Sequence, residues 1–204
     1  MAGIELDLIK LEINKYLGIP YLFGGKETCE QIAQSTIDLA KKQKVNLLKL
    51  TPKGIYNFQK KNHLGIDCSG LVYHLVDRLY FFNTGKSIFD HLIGTENLRG
   101  PRRVSANLFT DKINSIKVTN YDDIRTGDLI RVDNGRHIIF IINKEGNRIN
   151  YVHSSNKTKI TGVHLGQIII TNPSKSLKFQ TWSDTTKDGK SYTGDDIYRL
   201  LLLN

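Results

Sequence analysis

Gly65-Ile66-Asp67-Cys68-Ser69-Gly70-Leu71-Val72 carries a cysteine off a short turn onto the start of an apolar helix. The rest of the chain can be read by asking what serves Cys68. Beyond it, Leu71, Val72, Leu75, Val76 and Leu79 fall at the spacing that buries one helix face. Asp67 stands where an N-cap belongs, which puts Cys68 in the first turn. Unpaired backbone N–H groups and the positive end of the helix dipole there favour a thiolate, the nucleophilic form of cysteine. The same groups suit a developing oxyanion. Gly70 has no Cβ, so another chain or a substrate can approach closely. Free cysteine is also among the most buried residue types, so partners elsewhere in the chain must decide between core and catalysis.

The chain of 204 residues is long enough for one domain with a full core, and its 39% apolar content excludes wholesale disorder. No apolar run approaches the roughly 20 residues that cross a bilayer, so no membrane span is expected. The opening Met1-Ala2-Gly3-Ile4-Glu5-Leu6-Asp7 lacks the basic and apolar regions of a secretory signal. That leaves a cytoplasmic location, export by a non-classical route, or a cell-wall or periplasmic one if a signal has been trimmed. Two cysteines, Cys29 and Cys68, make a disulfide framework unexpected. A net charge of +9 favours an anionic partner, an acidic polymer included. Its cations are scattered in pairs such as Lys41-Lys42 and Lys60-Lys61 without interleaved aromatics, which argues against nucleic acid.

Residues 4–17 read as an amphipathic helix closed by Gly18. Residues 26–64 read as a largely helical insertion that could roof a cleft, and residues 154–194, polar around a strand at 167–171, as a second insertion. Between them the periodicity changes from helical to alternating. Strands are expected at 128–132, 136–142 and 148–153, with a turn at Asp133-Asn134-Gly135, and another strand at 197–202. The 136–142 strand is apolar on both faces and therefore central. A loop centred on Glu145 places His137 directly opposite His153, Cβ atoms about 4.5–5.5 Å apart, as a base with its orienting partner; a two-residue turn would undo this register. Six histidines offer metal ligands, but no HxxxH or CxxC spacing exists, so neither a metal nor any other cofactor is expected.

Cysteine at a helix start, then a strand histidine, then a polar residue on the next strand is the chain order of a papain-like site. Pro20-Tyr21-Leu22-Phe23-Gly24-Gly25, Asp67-Cys68-Ser69-Gly70-Leu71-Val72, Pro101-Arg102-Arg103-Val104-Ser105-Ala106, Arg125-Thr126-Gly127-Asp128-Leu129-Ile130, His137 with its apolar strand, and Tyr151-Val152-His153 follow in sequence. Together they resemble the NlpC-type family of bacterial cell-wall cysteine peptidases. The resemblance implies an α+β, papain-like fold in which a helix-borne cysteine packs against a central antiparallel sheet. It makes Cys68 the nucleophile, His137 the base and His153 the orienting residue, and has Tyr21, Asp67 and Ser69 bind the substrate amine or the oxyanion. The implied reaction is hydrolysis of an amide in a peptidoglycan stem peptide, at the D-glutamyl to diamino-acid bond, through an acyl-enzyme. Alternatives are acyl transfer or deamidation of a protein by the same cysteine, and a non-catalytic wall-binding module. The chain departs from the family in the long stretch between Gly25 and Asp67, in Phe23 for Trp and in Thr126 for Pro.

Overall fold

Residues 2–96, 98 and 104–204 are described by a computed structural model, Ala2 through its backbone alone. Helix α1 spans Ala2–Tyr16, and the chain leaves it through Gly18 at φ 81°. Helix α2, Cys29–Lys42, starts at a capping box in which Thr28 and Gln31 satisfy each other's backbone N–H. Helix α3, Pro52–Lys61, has Thr51 as N-cap and proline in its first turn. Helix α4, Cys68–Thr84, is capped by Asp67 and stops at Gly85, which takes the left-handed conformation at φ 70°. A single turn, α5, follows at Ala106–Phe109.

Seven strands then form one antiparallel sheet: β1 Ser115–Val118, β2 Leu129–Val132, β3 His137–Glu145, β4 Arg148–Ser155, β5 Gly162–Ile169, β6 Thr181–Trp182 and β7 Asp196–Leu200. Their order is β1-β7-β2-β3-β4-β5-β6, so β3 lies in the middle, as its two apolar faces require. Ile138, Phe140 and Ile142 face α1 and α4 and pack with Ile9, Ile13, Leu71, Leu75 and Leu79. Ile139 and Ile141 face the other way and pack with Tyr151, Ile168, Trp182, Tyr192 and Ile197. The fold is therefore α+β with a core on each side of a curled sheet.

The second core corrects the reading of residues 154–194. Rather than an addition to the domain, that stretch supplies strands β5 and β6 and lays Leu177, Trp182 and Tyr192 over a sheet face that would otherwise be wet. Strand β5 begins five residues before the expected 167, because Gly162, His164 and Gly166 break the apolar alternation that marks a strand in sequence. Strand β1 falls before the first strand expected from the sequence, at 128–132.

Gly166 is needed for a close approach, since a Cβ there would lie 2.2 Å from Tyr151 Cζ. Gly166→Ala should overpack this core by about 1–3 kcal/mol, seen as a lower melting temperature, whereas Gly3→Ala, in open space on α1, should cost less.

The register between β3 and β4 also differs from the expected one. Glu145 pairs with Arg148, so the turn is the two-residue Gly146-Asn147. By itself this would put His137 and His153 on opposite faces. A bulge at Ile142 inserts one residue, after which Ile141 pairs with Tyr151 and Phe140 with Val152. Parity is restored: His137 and His153 share a face, but as diagonal neighbours. The imidazole directly opposite His153 is His164, on β5.

Candidate active site

Glycines bring the turn before α4 against the segment that follows Pro20. A Cβ on Gly25 would lie 2.4 Å from the Gly65 carbonyl oxygen, one on Gly65 2.3 Å from that of Pro20, and one on Gly70 2.6 Å from that of Gly25. Gly70 therefore does admit a close neighbour, and it is this chain's own backbone. The Ile66 N–H donates to Pro20 O at 3.0 Å and the Asp67 N–H to Gly25 O at 2.9 Å. From the other side Ser154 Oγ on β4 donates to Ile66 O at 2.7 Å, which ties the turn to the sheet.

Cys68 thus sits at the first turn of α4 over the beginning of β3. The backbone N–H groups of Ile138 and Ser69 favour a negative charge on its sulfur. Tyr21, Asp67, Cys68 and Ser69 all line one open cleft of about 570 Å³, with Lys26 and Arg136 also on its walls. Of residues 26–64 only Lys26 and Glu27 reach this cleft, so α2 and α3 do not roof it. Val104, Ser105 and Ala106 line it too, while Pro101 to Arg103 of the same motif lie outside the described residues.

Asp67 is fully engaged in holding this corner together. Its Oδ1 accepts from the Gly70 N–H at 2.6 Å, from Lys26 Nζ at 2.7 Å and from Ser69 Oγ at 3.1 Å, and its Oδ2 from the Gly24 N–H at 3.2 Å. Lys26 Nζ also meets Ser69 Oγ. The residues on either side of the cysteine therefore hold a cation of the chain itself. Tyr21, whose phenol is pushed up to about 12 by burial and then by the Cys68 and Asp67 charges, completes the wall.

The thiol itself does not behave as the helix start predicts. Burial, and then the neighbouring Asp67 carboxylate, push it up to about 11, and the Ile138 and Ser69 N–H groups and Lys26 offset only part of this. The resting form is a neutral thiol, so Cys68 needs a base.

The first residue of β3 can supply one. His137 is held well below its ordinary value by burial first and by the charges of His153 and Lys157 next, so at neutral pH its ring is an unprotonated imidazole. No hydrogen bond joins it to Cys68 among the described residues. The Tyr192 ring lies 6.0 Å from the His137 ring, and its phenol is raised by burial first and then by the charge of a Cys68 thiolate.

The tautomer of His137 follows from the network behind it. Asp184 Oδ2 lies 3.0 Å from His153 Nε2 and is a carboxylate, which only accepts, so His153 carries its proton on Nε2. His153 Nδ1 then accepts from His137 Nε2 at 2.9 Å, which leaves His137 Nδ1 with a free lone pair. Nδ1 has no partner, and no fully buried side-chain nitrogen or oxygen is unpaired among the described residues. It is therefore the edge through which a ring only 7% exposed still meets solvent. Asp184 anchors the relay: burial alone would raise its carboxyl, but the hydrogen bonds from His153 and Tyr151 hold it well below the usual carboxylate range.

No protein-family model, curated protein or solved structure matches the chain. The site stands on its own geometry.

The structure brings all six expected residues to one end of the sheet, with Cys68, Tyr21, Asp67 and Ser69 on the cleft and His137 and His153 behind it. Sequence reading missed Asp184, His164, Tyr192 and Lys26. Asp184 lies in a turn-rich stretch with no motif, and its approach to His153 depends on the pairing of β4 with β5. Lys26 was legible as the residue after the glycine pair, and only the parallel bridge between Tyr21 and Ile66 reveals that it reaches Asp67.

Proposed function

We propose that this chain is a cysteine-dependent amide hydrolase with a papain-like fold of the NlpC type, acting on peptidoglycan stem peptides. The observation that carries the reading is the relay Asp184–His153–His137, which ends in a bare imidazole nitrogen at the start of the strand that Cys68 overlies. The motifs shared with the NlpC-type family support the fold and the substrate class.

In this reaction His137 Nδ1 takes the thiol proton as Sγ attacks the scissile carbonyl carbon. The imidazolium that forms is stabilised through His153 by the Asp184 charge. Cys68 and Ser69 have no helix carbonyl to bond with, so their N–H groups can hold the oxyanion. His137 returns its proton to the departing amine. Water, deprotonated by the same nitrogen, then splits the thioester and frees the acid. Asp67 and Ser69 act through Lys26: they fix its ammonium at the cleft wall, where it suits a substrate carboxylate.

Cleavage of purified muropeptides in ¹⁸O-water tests this directly. Each newly formed carboxyl should carry one ¹⁸O from water. A product joined to an added amine, without ¹⁸O, would reassign the cysteine to acyl transfer. Tight wall binding with no cleavage, unaltered by Cys68→Ala, would make the chain a binding module.

A further inference from the structure

Behind the base, three electron-rich atoms crowd together. His153 Nε2 lies 2.9 Å from His164 Nε2 and 3.0 Å from Asp184 Oδ2, and the last two are 3.4 Å apart. His164 Nδ1 donates to the Gly162 carbonyl at 3.0 Å, so a neutral His164 presents a bare Nε2. One proton, on His153 Nε2, is then left to serve both a carboxylate and an imidazole lone pair.

Ring geometry points the same way. His137 and His153 also approach with nitrogens 2.9 Å apart, and their centroids are 5.2 Å apart, as in an end-on hydrogen bond. His153 and His164 have the same nitrogen separation with centroids only 4.4 Å apart, so their N–H axes lie well off the line between the nitrogens. Ligand atoms about 2.0–2.1 Å from one tetrahedral ion lie roughly 3.3 Å from one another, close to the spacing seen. Each candidate ligand is also held from behind, His164 by the Gly162 carbonyl, His153 by His137 and Asp184 by Tyr151 OH at 2.8 Å.

We propose that His153, His164 and Asp184 form a binding site for a divalent transition metal of the zinc or cobalt type, and that its occupancy switches off the base at His137. Two imidazoles and one carboxylate are a donor set for such ions and a poor one for Mg²⁺ or Ca²⁺. The switch follows from proton placement. A metal on His153 Nε2 displaces that proton and leaves the ring protonated on Nδ1. His153 then donates to His137 Nε2, and His137 must carry its own proton on Nδ1, the edge that would otherwise accept from the thiol. No net proton is lost; two tautomers reverse. No sequence motif announces the site, because its ligands come from β4, β5 and the turn after β6.

The metal site stands on geometry alone, whereas the switch rests on the Cys68–His137 reading, and two readouts separate them. The first is Co²⁺ added to the chelator-stripped full chain. One ion per chain should bind with visible ligand-field absorption and no thiolate charge-transfer band, and should raise the melting temperature where Mg²⁺ does not. Binding should be lost in His164→Gln and in Asp184→Asn. Absence of both spectrum and thermal shift in the wild type would overturn the site, and so would undiminished binding by folded variants or a thiolate band. The second readout is alkylation of Cys68. Saturating Zn²⁺ should slow it about a hundredfold in the wild type but not in His164→Gln. Equal slowing in both would place the metal on the cysteine and overturn the switch. If Co²⁺ binds as described but alkylation is independent of His137 even without metal, the hydrolase reading and the switch fall together and the metal site remains.

Discussion

Cys68→Ala is expected to reduce muropeptide cleavage to the uncatalysed background, and His137→Ala to lower kcat/KM by about 10²–10⁴-fold. The asymmetry has a physical origin. Without the sulfur the thioester acyl-enzyme cannot form. Without His137 the sulfur remains, but as a thiol pushed up to about 11, only a small fraction is ionised at neutral pH. His137→Ala should therefore recover activity as the pH is raised, which Cys68→Ala should not. Both variants ought to fold, because each removes a side chain without stranding a buried charge. Circular dichroism and melting temperature check this. Wild-type-like turnover by either variant would sink the proposed mechanism.

Asp128→Ala should cause one of the largest losses of stability available by single substitution, about 3–5 kcal/mol. Arg199 on β7 meets Asp128 side by side, Nε to Oδ1 at 2.8 Å and Nη2 to Oδ2 at 2.8 Å, and Nη2 also reaches the Asp123 carbonyl. The Asp128 side chain is 1% exposed and that of Arg199 8%. Removing the carboxylate leaves a guanidinium buried without its counter-charge, and it also frees the Arg125 N–H that Asp128 Oδ2 accepts at 2.9 Å. Against a total stability of about 5–15 kcal/mol this is a large share. A double replacement, Asp128→Leu with Arg199→Met, should recover much of the loss, because matched apolar groups leave no charge stranded. Urea unfolding midpoints of the single and double variants measure the difference. A loss below about 1 kcal/mol for Asp128→Ala would mean that the pair is effectively solvated.

The Gly127-Asp128-Leu129-Ile130 motif therefore has a structural purpose, and it illustrates what the sequence could and could not convey. Elements whose signals are local were legible. Asp67 capping α4, the apolar stripe from Leu71 to Leu79 and the doubly apolar β3 all appear where pattern and chemistry place them. So does the placing of His137 and His153 on one sheet face, although by a different route from the one expected. The hairpin pairs through a two-residue turn, and only the bulge at Ile142 returns the two histidines to one face. A bulge leaves no mark in a run of five apolar residues, since every residue there is buried whatever its register. Asp184 and His164 were invisible for a related reason: their meaning depends on which strand lies beside β4. The thiol was misjudged because a helix start and a cap can be read from residue order, whereas the burial that outweighs them cannot.

The most direct measurement is the rate of Cys68 alkylation by iodoacetamide as a function of pH, followed by mass spectrometry in the presence of a chelator, in the wild type and in His137→Ala. Cys29, a free thiol also pushed up to about 11 by burial, serves as the internal reference. If His137 is the base, wild-type Cys68 reacts at a rate that is flat through neutral pH and about a hundredfold above that of the variant. In His137→Ala the rate instead climbs about tenfold per pH unit toward 11, in parallel with Cys29. Superimposable curves for the two proteins would contradict the pairing of His137 with Cys68, and with it the proposed enzyme.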